Sequence, residues 1–216
     1  MNIILYWKID KSMSFIKKHI IKFLFGILHS DAYKKYKQQQ NDSWAKTNFK
    51  FFGKQASLPE IFWIKNPQYI SIGENFSSLF NLRLEAWDNF YGKSFQPEIR
   101  IGNNVNFNSD VHIGAIHKVS IGNNVLMASR IYISDHYHGS ISAEDLDIVP
   151  AERPLSSKGP VIIEDNVWIG EGVCILPGVT IGENSIIGAN SVVNKSFPKN
   201  SVIAGIPAKL IKTLEK

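Results

Sequence analysis

From Ile72 onward an aliphatic residue followed by Gly or a small polar residue returns at six-residue intervals, and a fixed internal period constrains a fold more than any local propensity does. The longest run reads Ile163-Glu-Asp-Asn-Val-Trp, Ile169-Gly-Glu-Gly-Val-Cys, Ile175-Leu-Pro-Gly-Val-Thr, Ile181-Gly-Glu-Asn-Ser-Ile and Ile187-Gly-Ala-Asn-Ser-Val. Shorter runs begin at Ile101, Phe107 and Ile113, and at Ile121, Met127 and Ile133. A period of six matches neither a helix face nor a simple alternating strand. It matches a triangular coil in which each hexapeptide supplies a short strand and a corner. The first and fifth positions point inward, and Gly or Asn at the corner tolerates positive φ. One repeat cannot bury its apolar face alone, whereas a stack buries a continuous aliphatic ladder. The fold expected is therefore mainly β, a parallel β-helix over residues 51–216, with the tail 197–216 closing it.

Three interruptions break the period. Residues 78–98 carry Trp87, Phe90, Tyr91 and Phe95; two extra residues separate Ile113 from Ile121; and Tyr137 to Pro160 is polar, with Pro150, Pro154 and Gly159. The last reads as a loop, 137–160, projecting from the coil. A long loop of this kind inside a compact domain is usually functional, a tolerated surface insertion being the plainer reading.

Residues 1–50 form a separate basic arm, expected to be helical, with ten lysines against three aspartates, while the rest of the chain is slightly acidic. Such an arm suits an anionic surface, and no nucleic-acid motif accompanies it, so nucleic acid is not the expected partner. Lysines and Asp10 interrupt every apolar run, and Phe23 to Leu28 is too short to cross a bilayer. Ile16, Ile20, Phe23, Leu24 and Ile27 fall at helical spacing, with Lys17, Lys18 and Lys22 off that stripe. The stripe either packs on the protein itself or lies at a membrane surface. The single cysteine, Cys174, excludes an internal disulfide and a Cys-rich zinc site, and a reducing cytoplasm is the simplest setting. With no sequence partner to activate it, Cys174 reads as incidental.

The words Asp165-Asn-Val-Trp-Ile-Gly170, Ile175-Leu-Pro-Gly-Val-Thr-Ile-Gly182, Ile187-Gly-Ala-Asn-Ser-Val192 and Ala204-Gly-Ile-Pro-Ala-Lys209 closely resemble those of the hexapeptide-repeat acetyltransferases, especially the galactoside, maltose and polysaccharide O-acetyltransferases. The likeness loosens between Ile99 and His138 and is absent before about residue 55. It implies a left-handed coil, a homotrimer with active sites between subunits, acetyl-CoA as donor with no metal required, a sugar or polysaccharide acceptor, and a histidine general base.

In Ser134-Asp-His-Tyr-His138 the family places that histidine where the second run gives way to the long loop. His136 is the expected base, with His138 the competitor. An imidazole, with an ordinary pKa of about 6.5, can take a hydroxyl proton and return it to a leaving thiolate. Asp135, adjacent along a strand, is expected on the opposite face as a solvated residue. The resemblance sets Asp110 beside the acceptor to orient its hydroxyl, a solvent corner being the alternative. Trp168, at an outward sixth position, is expected to wall the cleft or to stack between coils. Gly170 and Ala189 are expected along the pantetheine arm. Asn194, Lys195, Pro207, Lys209 and Lys212 are expected at the nucleotide end, where cations suit phosphates. The family often carries Ser or Thr before the first lysine and arginines in the tail, unlike Asn194 and the lysines here.

Two rivals remain. His112 and His117 have the spacing of two ligands in β-helical zinc carbonic anhydrases, but the only upstream histidines, His19 and His29, lie in the arm. A non-catalytic scaffold leaves the histidines, the tryptophan rung and the basic tail without explanation. The expected function is O-acetylation of a sugar hydroxyl, of a bacterial surface polysaccharide or its precursor, at the cytoplasmic face of the membrane. N-acetylation of an amino sugar, or acetylation of a small glycoside or antibiotic, is the alternative.

Overall fold

The computed structural model describes residues 20, 23–24, 26–27, 30–140 and 143–215. By contacts the chain divides into two units, residues 1–40 and 41–216. In the first, Ile20, Phe23, Leu24 and Ile27 are exposed; Ile16 and the lysines at 17, 18 and 22 lie outside the described residues. Helix Asp31–Asn48 starts where the Ser30 hydroxyl accepts the Tyr33 N–H at 3.2 Å, an N-cap that satisfies an otherwise orphaned donor. No helix among the described residues is long and apolar enough to cross a membrane.

In the second unit three parallel sheets form the faces of a coil. Face A holds Phe51–Phe52, Ile70–Ile72, Glu98–Ile101, Lys118–Ile121, Val161–Ile163 and Thr180–Ile181. Face B holds Phe62–Lys65, Leu82–Ala86, Val111–Ala115, Ile131–Ser134, Cys174–Ile175 and Val192–Val193. Face C runs from Ser77–Ser78 through Asn106–Phe107, Leu126–Met127, Trp168–Ile169 and Ile186–Ile187 to Ser201–Gly205, where Ala208–Thr213 folds back antiparallel. The chain visits A, C and B in turn.

The aliphatic first positions of the repeat lie in register up each face. Ile72, Ile101, Ile121, Ile163 and Ile181 stack on A; Met127, Ile169, Ile187 and Ile203 on C; Ile113, Ile133, Ile175 and Val193 on B, all essentially inaccessible to solvent. Burial of each contributes about 1.5–3 kcal/mol. One corner is built by asparagine. Asn75, Asn104, Asn124, Asn166, Asn184 and Asn200 all take φ between 55° and 60°, a conformation Asn tolerates better than other side-chain-bearing residues. Their amides bond to one another along the axis, for example Asn104 to Asn124 at 3.1 Å and Asn124 to Asn166 at 3.0 Å.

The first coil is covered by the last turns of the helix. Ala45 is fully buried, and the Trp44 ring sits 5.9 Å from Phe49 and 5.6 Å from Phe62. Asn41 Nδ2 donates to Pro59 O, and Asp42 Oδ1 accepts the Leu58 N–H.

The segment 78–98, expected as an interruption, is in part regular coil. Leu82, Leu84 and Ala86 point inward from strand Leu82–Ala86, and their plain alternation over a five-residue strand hides the hexapeptide signature. The true insertion is shorter and contains the hairpin Asn89–Phe90 with Lys93–Ser94. All three departures from the period leave the coil at one place, the corner after face B: beyond Ala86, beyond Ala115 and beyond Ser134. The last is pinned at its base by antiparallel Tyr137–His138 and Leu155–Ser156.

Ile169→Ala, in the middle of the ladder, is expected to lower stability by about 2–5 kcal/mol with the β signal retained; chemical denaturation followed by circular dichroism measures it.

Candidate active site

Where the spacing between Ile113 and Ile121 carries two extra residues, the backbone turns three successive N–H groups toward one point. The Asp135 carboxylate from the next coil fills it, with Oδ1 accepting from Ile116 N at 2.9 Å and Oδ2 from His117 N at 2.8 Å and Lys118 N at 2.6 Å. A concavity of consecutive amides is a ready anion site. Asp135 is completely buried, contrary to the solvated position expected from strand alternation. Strand Ile131–Ser134 has already ended, so alternation no longer applies at the corner. The Asp135 carbonyl also accepts from the Ser157 hydroxyl at 2.5 Å, which ties the far side of the long loop to the same corner.

The same carboxylate meets the next residue. His136 Nδ1 lies 2.9 Å from Asp135 Oδ1 and 3.2 Å from Ser134 Oγ. A carboxylate only accepts, so the proton between them belongs to Nδ1, and the neutral ring keeps its lone pair on Nε2. The ring lies against Gly114, where a Cβ would stand 3.2 Å from Cε1; glycine gives the imidazole its seat. His136 is nearly buried, with 10% of its side chain exposed, and it faces a cavity of about 280 Å³.

Aromatic rings wall the cavity: Trp87, Phe90, Tyr132 and Tyr137. His138 lines it as well, edge-to-face with Phe90 at 5.3 Å, but among the described residues no carboxylate orients it. The floor carries a charged group from face B. Arg83 Nη2 donates to Glu85 Oε1 at 2.9 Å, and His112 Nε2 lies 3.1 Å from Glu85 Oε2. Glu85 is almost fully buried. Burial by itself would raise its pKa, but the hydrogen bonds from His112 and Arg83 and their charges outweigh that and bring it to about 2.

The remaining expected residues lie elsewhere on the chain. Asp110 sits at the corner before Val111–Ala115 with φ 61°, its Oδ1 accepting from Asn81 Nδ2 at 2.5 Å, and it does not line this cavity. Trp168 is half exposed on face C, in register with Leu126, Ile186 and, further up, Val202 and Lys212. Ala128, Gly170, Gly188 and Ala204 follow the stacked aliphatics of face C and form a strip without long side chains, with Ala189 beside it and Lys209 paired to Ala204. Asn194, Lys195, Pro207, Lys209 and Lys212 are all exposed. One chain thus brings His136 to the corner after face B, Asn194 and Lys195 to the same corner higher in the stack, past Val192–Val193, and the other expected donor residues to face C and its edge.

Among the described residues no three His, Cys, Asp or Glu side chains converge as a metal site would need; His112 is engaged by Glu85, and His117 is exposed past the end of its strand. Burial pushes the Cys174 thiol pKa up, away from the thiolate a nucleophile needs. Arg83, Glu85, Gly114 and the buried role of Asp135 escaped the sequence reading. The two-residue excess before Ile121 was their one visible trace.

The Glu85 shift has a measurable sign. Its folded pKa, about 2, lies below the ordinary 4.5, so its contribution is complete above about pH 4.5 and fades as pH falls toward 2. The stability gap between wild type and Glu85→Gln should shrink as pH falls between about pH 4.5 and 2, as read by urea unfolding across that range.

Comparison with known proteins places these features in a family. Residues 160–195 match the model described as bacterial transferase hexapeptide (six repeats). A protein of Escherichia coli K12 named as a lipopolysaccharide biosynthesis O-acetyl transferase, WbbJ, is 45% identical over 154 residues, covering 69% of this chain and 74% of that one. The galactoside O-acetyltransferase of the same organism is 33% identical over 164 residues, covering 74% of this chain and 64% of that one. The crystal structure of a maltose O-acetyltransferase from Clostridium difficile 630 is 29% identical with a TM-score of 0.55, covering 93% of this chain and 86% of that one. The repeat and this likeness make the coil a left-handed parallel β-helix. With nearly half of the aligned residues shared with WbbJ across most of both chains, this protein belongs to the hexapeptide-repeat transferases and is one of their acetyltransferases.

Proposed function

We propose that the chain transfers an acetyl group from acetyl-CoA to a sugar hydroxyl, of a bacterial surface polysaccharide or its precursor, with His136 as general base. The observation that carries the reading is the Asp135–His136 pair, with Nδ1 bonded at 2.9 Å beneath a cavity with aromatic walls. The likeness to WbbJ supports the surface-polysaccharide acceptor.

Acetyl-CoA supplies the acyl group as a thioester. His136 Nε2 takes the proton of the acceptor hydroxyl as its oxygen attacks, holds it while the carbon–sulfur bond breaks, and returns it to the departing thiolate. Asp135 fixes the tautomer and steadies the charged ring. Trp87, Phe90 and Tyr132 offer flat apolar faces to a sugar ring and help to exclude water.

The strip of Ala128, Gly170, Gly188 and Ala204 suits an extended, unbranched pantetheine chain, with Ala189 beside it and Trp168 as a wall. Lys195, Lys209 and Lys212, with Asn194 and Pro207, suit the phosphates of the nucleotide. Because the strip on face C and His136 occupy different parts of one chain, the complete site forms between subunits of a homotrimer. There Asp110 of one subunit orients the acceptor for its neighbour. The basic arm holds the enzyme at the cytoplasmic face of a membrane.

Release of CoA from acetyl-CoA with a panel of polysaccharides and glycosides tests the reading. His136→Ala should lose on the order of 10²–10⁴ in kcat with little change in CoA affinity; full activity in that variant would falsify the assignment. Asp135→Asn should also lose activity, and it should lose stability as well, because an amide presents an N–H donor to amides that need acceptors. Loss of activity at unchanged thermal stability would overturn the role given to that carboxylate.

A further inference from the structure

The floor of the cavity is more elaborate than a general base requires. Arg83, Glu85 and His112 come from neighbouring strands of face B, where Arg83 lies directly beside His112 in the sheet register and Glu85 beside Gly114. Glu85 spends one oxygen on each partner, and both bonds lie on the cavity side. The bonds from His112 and Arg83 hold its carboxyl below the usual carboxylate range. A buried carboxylate that grips a guanidinium and an imidazole at once makes both rigid.

The Arg83 side chain is half exposed, and among the described residues only its Nη2 is bonded. The free donors are therefore held in place and aimed outward, and a planar fork of this kind matches the two oxygens of a carboxylate or phosphate. Lys65 Nζ stands 4.0 Å from the Trp87 ring and Lys158 Nζ 5.7 Å from the Tyr137 ring, both rings being cavity walls. Among the described residues that line the cavity, Arg83 is the one Lys or Arg and Glu85, already paired with it, the one carboxylate; Asp135 stands behind His136 much as the two lysines stand behind their rings.

We propose that Arg83 determines specificity by taking an anionic oxyacid group, carboxylate or phosphate, on the acceptor, with Glu85 and His112 as the residues that position it. The proposal rests on the acetyl-transfer reading, since that reading makes this cavity the acceptor's. It narrows the acceptor from sugars in general to sugars carrying an acid or a phosphate near the acetylated hydroxyl.

The test is calorimetric titration of the full chain, saturated with CoA, with methyl glucuronide, glucose 1-phosphate and methyl glucoside. The wild type should bind at least one of the two anions about tenfold or more tightly than the neutral glycoside, and the stronger of the two names the group. Arg83→Gln should bring all three within about twofold of one another, Arg83→Lys should recover part of the preference, and the affinity for CoA should stay within about twofold throughout. Thermal melting of each variant confirms that it is folded. Equal or undetectable binding of all three probes to the wild type overturns the proposal, as does a preference that survives in Arg83→Gln. So does a tenfold loss of CoA affinity in that variant, which would assign the guanidinium to the donor. Failure of the transfer reading is seen separately, as wild-type protein that releases no CoA from acetyl-CoA with any acceptor, because the titration involves no chemistry.

Discussion

Each inward aliphatic side chain of this coil must lie directly over the one below it, and the rest of the molecule is arranged around that requirement. A single added residue within a strand would turn the next ladder position outward and expose it. Extra chain can therefore leave only at a corner. In this protein it leaves at the same corner three times, after Ala86, after Ala115 and after Ser134. The first and third of those departures wall the cavity over face B, and the second supplies the amides that hold Asp135 beneath His136, so the regularity of the core decides where this corner stands.

The two carboxylates at that corner solve different problems. Asp135 is buried and accepts from three backbone amides and one imidazole, so its first effect is to close a widened turn and its second is to set a proton on His136. Glu85 is buried beside a guanidinium and an imidazole and organises side chains alone. Neither would be tolerable without its full set of partners, because an unpaired charge at this depth costs several kcal/mol. The density of hydrogen bonds at this corner is the condition for having charge there at all.

Much of this could be read from the chain. Isoleucine and valine at a fixed interval of six named the coil, and Asn-rich corners agreed with the positive φ found at Asn104, Asn124 and Asn166. The paired histidines at the start of the long loop pointed to the cavity that both now line. What stayed hidden depended on contacts between coils. Asp135 belongs with residues 116–118, some eighteen positions earlier, and alternation along its own strand argued for the wrong face. Leu82, Leu84 and Ala86 fill the core as well as any hexapeptide does, but their strand lies within an aromatic, charged stretch that breaks the six-residue spacing. The charged floor went unseen with them.

The placement of the three departures has an evolutionary meaning. Length and composition at that corner can change without moving any rung of the aliphatic ladder, and rungs can be repacked without redrawing the cavity. Stability and selectivity are thus encoded in separate, interleaved parts of one sequence. A lineage carrying this scaffold can vary those segments and the cavity-facing positions of face B, Arg83 among them, while the inward ladder bears almost none of the cost.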